Sequence, residues 1–460
     1  MPMEGRGIGY EFFFFWKERQ SMLRSAEDVF TKLQRIETLA KQDVKLKFTS
    51  LAHLLTPELL QNALEKLNKH GAPGVDGVTV KEFADKAEEN IALLHQELKE
   101  MKYRASNVRR VHIPKSNGKL RPLGIPTVKD RVVQRAMATI IQTIYEPYFM
   151  DVSHGFRPGR SAHDALEAIK TAVDRTPINW IVDVDIRGYF DHVNHDWMIK
   201  FLEHRIADKT MLRLVSKCLQ AGIMDNGVVT RNEEGTPQGG PISPLLANIY
   251  LHYVLDLWFE KQYKLRCLGH SFMVRYADDF VVGFEKEEEA QQFLHDLKTR
   301  FAEFGLEIAE EKTQIVRFGR NSGDNDGDPG GPKTPTGTFN FLGFTHYMKQ
   351  RGDGTNRRPM VARKPKMESR NKFLRNVKAW LKKCMHTSIP WQRKQLSIRL
   401  KGYYRYFGLR HCLPALGHVK YHVERLWITT LRRRSQRHNL HWATVTKQTW
   451  FRLPEPFLKH

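Results

Sequence analysis

The stretch Met273–Phe284 constrains this chain more than any other. Two apolar runs, Met273-Val274 and Phe280-Val281-Val282, enclose the adjacent acids Asp278 and Asp279. Short runs rich in β-branched and aromatic residues are predicted as strands, and the polar break between them as the bend of a hairpin. Neighbouring carboxylates held between buried strands are costly unless a cation compensates them. Hard divalent cations suit the role, since magnesium favours carboxylate oxygen and keeps room for phosphates. One further acid from an adjacent strand would complete such a site. Trp180-Ile181-Val182-Asp183-Val184-Asp185 reads as a short buried strand that ends in one.

The rest of the chain is predicted to alternate helices with short strands. Residues 1–70 read as helical and end near the turn-rich Gly71-Ala72-Pro73-Gly74-Val75-Asp76-Gly77. Over Asp130–Tyr145, Val132, Val133, Ala136, Ile140, Ile141 and Ile144 share one helical face. Ser243 before Pro244 reads as a cap with proline at the first helical position, opening a helix to about Lys261. Phe293, Leu294, Leu297, Phe301 and Phe304 form the inward stripe of another helix, ended by Gly305. The Gly/Asp/Pro-rich segment 321–337 reads as a loop. Its Asp324, Asp326 and Asp328 imitate the start of a calcium loop, but Pro329 and Pro335 stand where glycine and a bidentate glutamate are needed. Three helical stretches follow, at about 367–385, 391–408 and 417–436. No internal repeat is visible. The four cysteines are scattered without metal or disulfide spacing and are expected in the core.

Charge supplies the first functional clue. The chain carries 74 Lys and Arg against 51 Asp and Glu, a net charge of +23. From Thr345 onward there are 28 basic and 4 acidic residues, so 28 − 4 = +24 lies there, against 46 − 47 = −1 before it. Such concentration points to a polyanion gripped by the C-terminal region, nucleic acid above all. No apolar run approaches the roughly 20 residues of a membrane span. Phe12–Trp16 is closed by Lys17, Glu18 and Arg19, too short for the core of a secretion signal. An intracellular protein is expected.

Other blocks accompany the Tyr276-Ala277-Asp278-Asp279 string in a fixed order. They are Arg109–Lys115, Gly118–Pro126, Ser153–Ser161, Asp185-Ile186-Arg187-Gly188-Tyr189-Phe190-Asp191, Gly235–Asn248 and Phe341-Leu342-Gly343-Phe344. Together they resemble the reverse transcriptases encoded by bacterial group II introns, also called intron maturases, over nearly the whole chain. The resemblance implies an α/β right-hand polymerase, fingers and palm, followed by an all-α thumb or maturase domain. Residues 1–70 would be an N-terminal helical extension, 71–344 the fingers and palm, and 345–460 the basic helical thumb with a DNA-binding tail. The paired cysteines and histidines that end some members in a zinc-associated endonuclease do not follow, so the form lacking it is expected.

Roles carry over by position. Asp185, Asp278 and Asp279 are the implied catalytic residues and ligands of two magnesium ions, with manganese an expected substitute and the Ile186 backbone carbonyl a further ligand. Asp185 is preferred to Asp183 because the family's acid precedes its aromatic by five residues, and Phe190 stands there. Phe190 would stack beneath the sugar and exclude a 2′-hydroxyl. Lys115 and Arg121 would grip the triphosphate, where arginine offers a bidentate fork. Gln238 would line the nucleotide's sugar, and Lys312 would contact primer or phosphates. Leu400–Gly408 interleaves cations with aromatics, which suits phosphate contact beside base stacking. It makes Lys401, Tyr403 and Arg405 candidate RNA contacts, with Arg432, Arg433 and Arg434 extending the basic face.

The implied partners are group II intron RNA, an RNA template with a DNA primer, target DNA and dNTPs, in a bacterial cytoplasm and on the nucleoid when acting on DNA. Two other readings compete. One is a domesticated relative in phage defence or DNA repair, which keeps the polymerase. The other is a non-catalytic RNA-binding splicing cofactor, against which the intact Asp185, Asp278 and Asp279 argue. Phe190 argues against a polymerase that must admit ribonucleotides.

Overall fold

Short apolar strands separated by turns sort into three sheets, with helices laid against them. The structure is a computed structural model that describes residues 29–114, 120–225, 228–230, 235, 239–319, 336–351, 358–435 and 440–459. Its first strands are β1 (Val108–Pro114), β2 (Leu120–Ile125), β3 (Trp180–Val184), β4 (Ile223–Asp225) and β5 (Val228–Thr230). Then come β6 (Ser271–Tyr276), β7 (Asp279–Phe284), β8 (Gln314–Arg317), β9 (Phe339–Phe341), β10 (Phe344–Arg351) and β11 (Arg358–Pro365). One sheet runs β2-β1-β4-β5, a second β6-β7-β3-β8 and a third β11-β10-β9.

The second sheet is antiparallel throughout and separates two cores. Side chains alternate across a strand, so Val182, Val184, Phe280 and Val282 enter one core while Ile181, Val274 and Val281 enter the other. The first core contains helix α1 (Val128–Tyr145), capped by Thr127, whose hydroxyl accepts the Asp130 amide proton. All six residues of its apolar stripe are buried. The second core holds helix α2 (Ala162–Arg175), opened by a Ser161–Asp164 capping box, and the C-terminal helices.

Helix α3 (Ser243–Leu251) departs slightly from expectation. Ser243 is its first residue and Pro244 its second; the cap is Ile242, which contributes no side-chain bond. The rod continues past Leu251 in π-helical turns at His252–Asp256 and Phe259–Tyr263. Helix α4 (Glu287–Glu303) buries Phe293, Leu297 and Phe301, and Gly305 ends it at φ +72°. The expected loop at 321–337 and the calcium-like acids within it lie almost wholly outside the described residues, as do residues 1–28 of the expected N-terminal helical region. From residue 29 that region is helical over 29–42 and Pro57–Glu65.

The region expected to be helical from residue 345 opens instead with strands. β10 and β11 pair antiparallel, register Phe344↔Pro365 to Arg351↔Arg358, and β10 pairs with β9. Their apolar residues are few and lie mostly in short runs, Tyr347-Met348 and Met360-Val361-Ala362, each followed by a cation, so no alternation shows in the sequence. The helical region starts at α5 (Met367–Lys383) and continues through α6 (Ile389–Phe407) and α7 (Leu413–Arg432). Buried Gln392 locks these together: its amide donates to the Cys384 and Met385 carbonyls, and its oxygen accepts Trp427 Nε1 at 2.9 Å. Cys218 and Cys412 are buried, while Cys267 and Cys384 are half-buried. No described helix is long and apolar enough to cross a membrane.

Candidate active site

The carboxylates predicted from the sequence gather at one end of the second sheet because of strand register. β3 pairs with β7 from Trp180↔Phe284 to Val184↔Phe280. The next step along the same register sets Asp185 across from Asp279, where β7 begins. β6 reaches the same end, with Tyr276 opposite Asp279. Ala277 and Asp278 form the two-residue connection, so the hairpin predicted at Met273–Phe284 exists with the acids at its tip.

Asp183, Asp185, Asp279, Lys312, Gln314 and Lys366 line one cleft of about 400 Å³, together with Asn340 and Leu342-Gly343. Asp183 and Asp185 share a strand face by alternation, and the Asp183 carboxylate accepts Gln314 Nε2 at 3.2 Å. Burial lifts the Asp183 carboxyl to about 6, with the Asp185 charge adding to it and Gln314 and Lys366 opposing. Asp279 keeps exposed surface, yet the cleft walls strip water from its carboxyl. That desolvation, followed by repulsion from Asp278, Asp185 and Asp183, raises its pKa to about 7. Such crowding of anions is relieved by a cation.

Lys312 supplies a cation from the chain itself. Residues 305–313 run back along the end of β3: Ala309 N donates to Asp185 O and Arg187 N to Glu307 O, both at 2.8 Å. This turn carries Lys312 Nζ to 2.9 Å from Asp185 Oδ1. The Ile186↔Ile308 bridge engages the Asp185 carbonyl and the Arg187 amide rather than the Ile186 carbonyl.

The other predicted positions are brought together in part. Gly188, at φ +52°, turns the chain into the short helix Tyr189–Asp191. Phe190 is half-buried there, with its ring edge-to-face with Tyr189 at 5.3 Å. Gly235 packs against this turn; a Cβ on it would stand 2.7 Å from the Phe190 carbonyl oxygen. The loop leading to Gln238 therefore starts beside Phe190, although Gln238 lies outside the described residues. So does Lys115. Arg121 is paired with Ile113 in the first sheet, and its side chain lies outside the described residues.

The C-terminal candidates divide. Lys401, Arg405 and Arg433 are exposed. Tyr403 is instead 7 % exposed and packs between Phe373 and Phe407, each at 4.5 Å, so its ring belongs to the core. Arg432 Nε donates to the Leu440 carbonyl at 2.8 Å and Arg434 Nη2 to the Thr387 carbonyl at 2.7 Å. Both are half-buried, and desolvation lowers the Arg434 pKa. Arg432 is the last residue of α7, and Arg433 and Arg434 lie in the turn that follows, so the three point in different directions.

Sequence reasoning missed how the quoted blocks meet. Ser153-His154-Gly155 lies against the hairpin tip, and Asn248, Asp256 and Arg275 form a buried cluster beneath it. The signal was an arginine in a strand otherwise apolar at its buried positions, which demands a buried partner.

Among the described residues, no three His, Cys, Asp or Glu side chains are grouped closely enough to hold a metal ion on their own. Asp183, Asp185 and Asp279 instead line one open cleft, while Asp278 stands on the adjoining turn and is not among the residues that line it. The open cleft suits a cation bound by few carboxylates and completed by substrate phosphates, the usual habit of magnesium.

An antiparallel sheet with acids at its hairpin tip, beside a basic helical region, defines a template-copying enzyme of nucleic acids. Residues 113–346 match the family described as reverse transcriptase (RNA-dependent DNA polymerase), and the chain belongs to that family. Among its relatives is the group II intron-encoded protein LtrA of Lactococcus lactis subsp. cremoris. It is 28% identical over 481 residues, covering 87% of this chain and 77% of that protein. Protein YkfC of Escherichia coli K12 is 40% identical over 289 residues, which is 55% of this chain and 75% of that protein. The putative COX1/OXI3 intron 2 protein of Saccharomyces cerevisiae is 36% identical over 280 residues, 49% of this chain and 33% of that one. The chain is an RNA-directed DNA polymerase of a family that works with divalent metal ions.

Proposed function

We propose that this polymerase works as a right hand on an RNA template with a DNA primer, and that it also binds the group II intron RNA that encodes it, assisting splicing and mobility. In this reading residues 71–344 are fingers and palm. The helices from Met367 onward are the thumb and maturase region, with the tail meeting target DNA. Asp185, Asp278 and Asp279 hold two magnesium ions, and the Ile186 carbonyl is a further ligand. When bound, such ions activate the primer hydroxyl and stabilise the departing pyrophosphate.

The chain's own residues do the rest. Lys115 and Arg121 hold the triphosphate, Gln238 lies along the sugar and Phe190 closes the space a 2′-hydroxyl would need. Lys312 balances Asp185 until the substrate's charges arrive. The observation that carries the reading is the register that sets Asp185 across from Asp279 in a cleft shared with Lys312. Exposed Lys401, Arg405 and Arg433 support the RNA-binding half, together with the net charge beyond residue 344.

The test measures extension of a DNA primer on RNA, with dNTPs or rNTPs, over a magnesium titration, beside binding of a structured group II intron RNA. Magnesium-dependent incorporation of dNTPs alone, with intron RNA bound more tightly than unrelated RNA of equal length, is the expected result. Extension without intron preference would leave the domesticated polymerase as the better account.

A further inference from the structure

Arg275 has no exposed surface, and it stands three residues before Asp278. Its Nε and Nη2 both donate to Asp256, itself fully buried. Its Nη1 donates to Asn248 Oδ1 and to the carbonyl oxygen of Ala277, each at 2.9 Å. The main chain of the same residue is engaged as well. The Arg275 amide donates to Val152 O at 2.8 Å, and the Arg275 carbonyl accepts from His154 N at 2.9 Å. Asn248 closes the ring by donating to the Gly155 carbonyl at 2.7 Å. The approach is tight, for a Cβ on Gly155 would stand 2.4 Å from the Ala277 nitrogen.

Ala277 is what these bonds surround, and its backbone is unusual. It sits at φ +58°, the left-handed region that residues with a Cβ disfavour. In a two-residue hairpin connection with positive φ at the first position, glycine is the usual occupant. Alanine holds that place here, and the Arg275 guanidinium bonds the carbonyl of that very residue. A buried ion pair is by itself weak grounds for stability, because apolar residues of equal volume serve as well. What apolar residues could not do is aim directional bonds at one carbonyl.

We propose that Arg275 is a positioning residue: with Asp256 and Asn248 it latches the Ala277 carbonyl, fixes the turn in its left-handed form, and so sets where Asp278 and Asp279 present their carboxylates. The proposal rests on the reading of those two acids as metal ligands. It also ties the hairpin to α3 through Asn248.

The test uses the full chain and Arg275→Lys, which keeps a charge opposite Asp256 but lacks the planar fork needed to reach all three partners. Turnover, the KM for dNTP and primer–template affinity are measured separately. Turnover falls about a hundredfold, the scale of an ångström's misplacement. KM and primer–template affinity move by less than about threefold, since the loss lies in the chemical step. Adding Ala277→Gly, which adopts the turn unaided, restores turnover by about tenfold.

An arginine that served only stability would lower the active fraction and the melting temperature, and glycine at 277 would not restore turnover. Wild-type turnover in folded Arg275→Lys, or no recovery with Ala277→Gly, overturns the proposal. Should Arg275→Lys not fold, Asn248→Ala leaves the ion pair whole while removing the acceptor that holds Nη1 in line with the Ala277 carbonyl and the bond to Gly155 that closes the ring. It is then expected to lose about tenfold in turnover and regain it with Ala277→Gly, and an undiminished Asn248→Ala enzyme overturns the latch. An active Asp278→Ala enzyme would instead remove the metal-ligand reading itself, so the two failures are distinguishable.

Discussion

Lys312 Nζ lies 2.9 Å from Asp185 Oδ1, a contact between residues 127 positions apart made at the edge of an open cleft. The pair is partly exposed, 57% and 37% for the two side chains, so it adds little to stability. Its importance is electrostatic. An ammonium beside Asp185 balances that acid in a cleft that also holds Asp183 and Asp279, and it competes with any metal ion for the same oxygen.

Replacing Lys312 with Met is therefore expected to lower the magnesium concentration for half-maximal extension by about fivefold to thirtyfold, since a unit charge some 4 Å away in water-like surroundings acts by about 1 kcal/mol on each of the ion's two charges before salt screens it. Extension rates at saturating dNTP over a magnesium series provide the measurement. A higher magnesium requirement in the variant would mean that Lys312 helps to assemble the metal site rather than competing for it.

Phe190 is half-buried on the turn that Gly188 creates, beside the start of the Gly235 loop. As the sugar gate, its truncation to alanine should raise the use of rNTP relative to dNTP by about tenfold or more, with dNTP incorporation retained. Paired single-nucleotide extension assays report the ratio. An unchanged preference in a variant with wild-type melting behaviour would return Phe190 to a packing role.

The hairpin, its acids, the strand ending at Asp185 and the helix of Asp130–Tyr145 were legible because periodicity and local charge declare them. The buried ring of Arg275, Asp256, Asn248 and Gly155 was not, since its members meet across as many as 120 positions and no local pattern links them. The β10–β11 hairpin was hidden for another reason. Lys349, Arg351, Arg358, Arg363 and Lys364 give it the basic composition of its helical neighbours, and its pairing is visible only as register. The arginines at 432–434 read as one basic patch because sequence gives charge without direction, whereas the end of α7 and the turn after it set Arg432 and Arg434 onto backbone carbonyls.

Gly155→Ala is expected to destabilise the protein by about 2 kcal/mol or more, because its Cβ would meet the Ala277 nitrogen at 2.4 Å and neither backbone is free to move. Thermal unfolding gives the shift, and extension activity should fall further than the folded fraction does. A variant as stable and as active as wild type would show that the hairpin tip yields easily, contrary to the tight approach described above.

The basic surface admits a charge-by-charge test. Lys401→Gln, Arg405→Gln and Arg433→Gln together remove exposed cations while leaving the bonded Arg432 and Arg434 in place. If all three touch phosphate, the slope of log affinity for intron RNA against log salt should flatten by about two to three, at 0.7 to 0.9 per contact. Glutamine preserves helix propensity, so folding should be unaffected. An unaltered slope would assign these residues to solvent and shift attention to the cations of α5.

Asp185, Asp278 and Asp279 are expected to carry the metal-dependent synthesis of DNA on RNA. The direct measurement is extension of a DNA primer on an RNA template by Asp278→Ala and by wild type, with RNA binding measured on the same preparations. Extension should fall by at least about a thousandfold at every magnesium concentration, as expected when a metal ligand of the chemical step is removed, while RNA affinity stays within about twofold. Near wild-type extension by a folded Asp278→Ala protein would contradict the account.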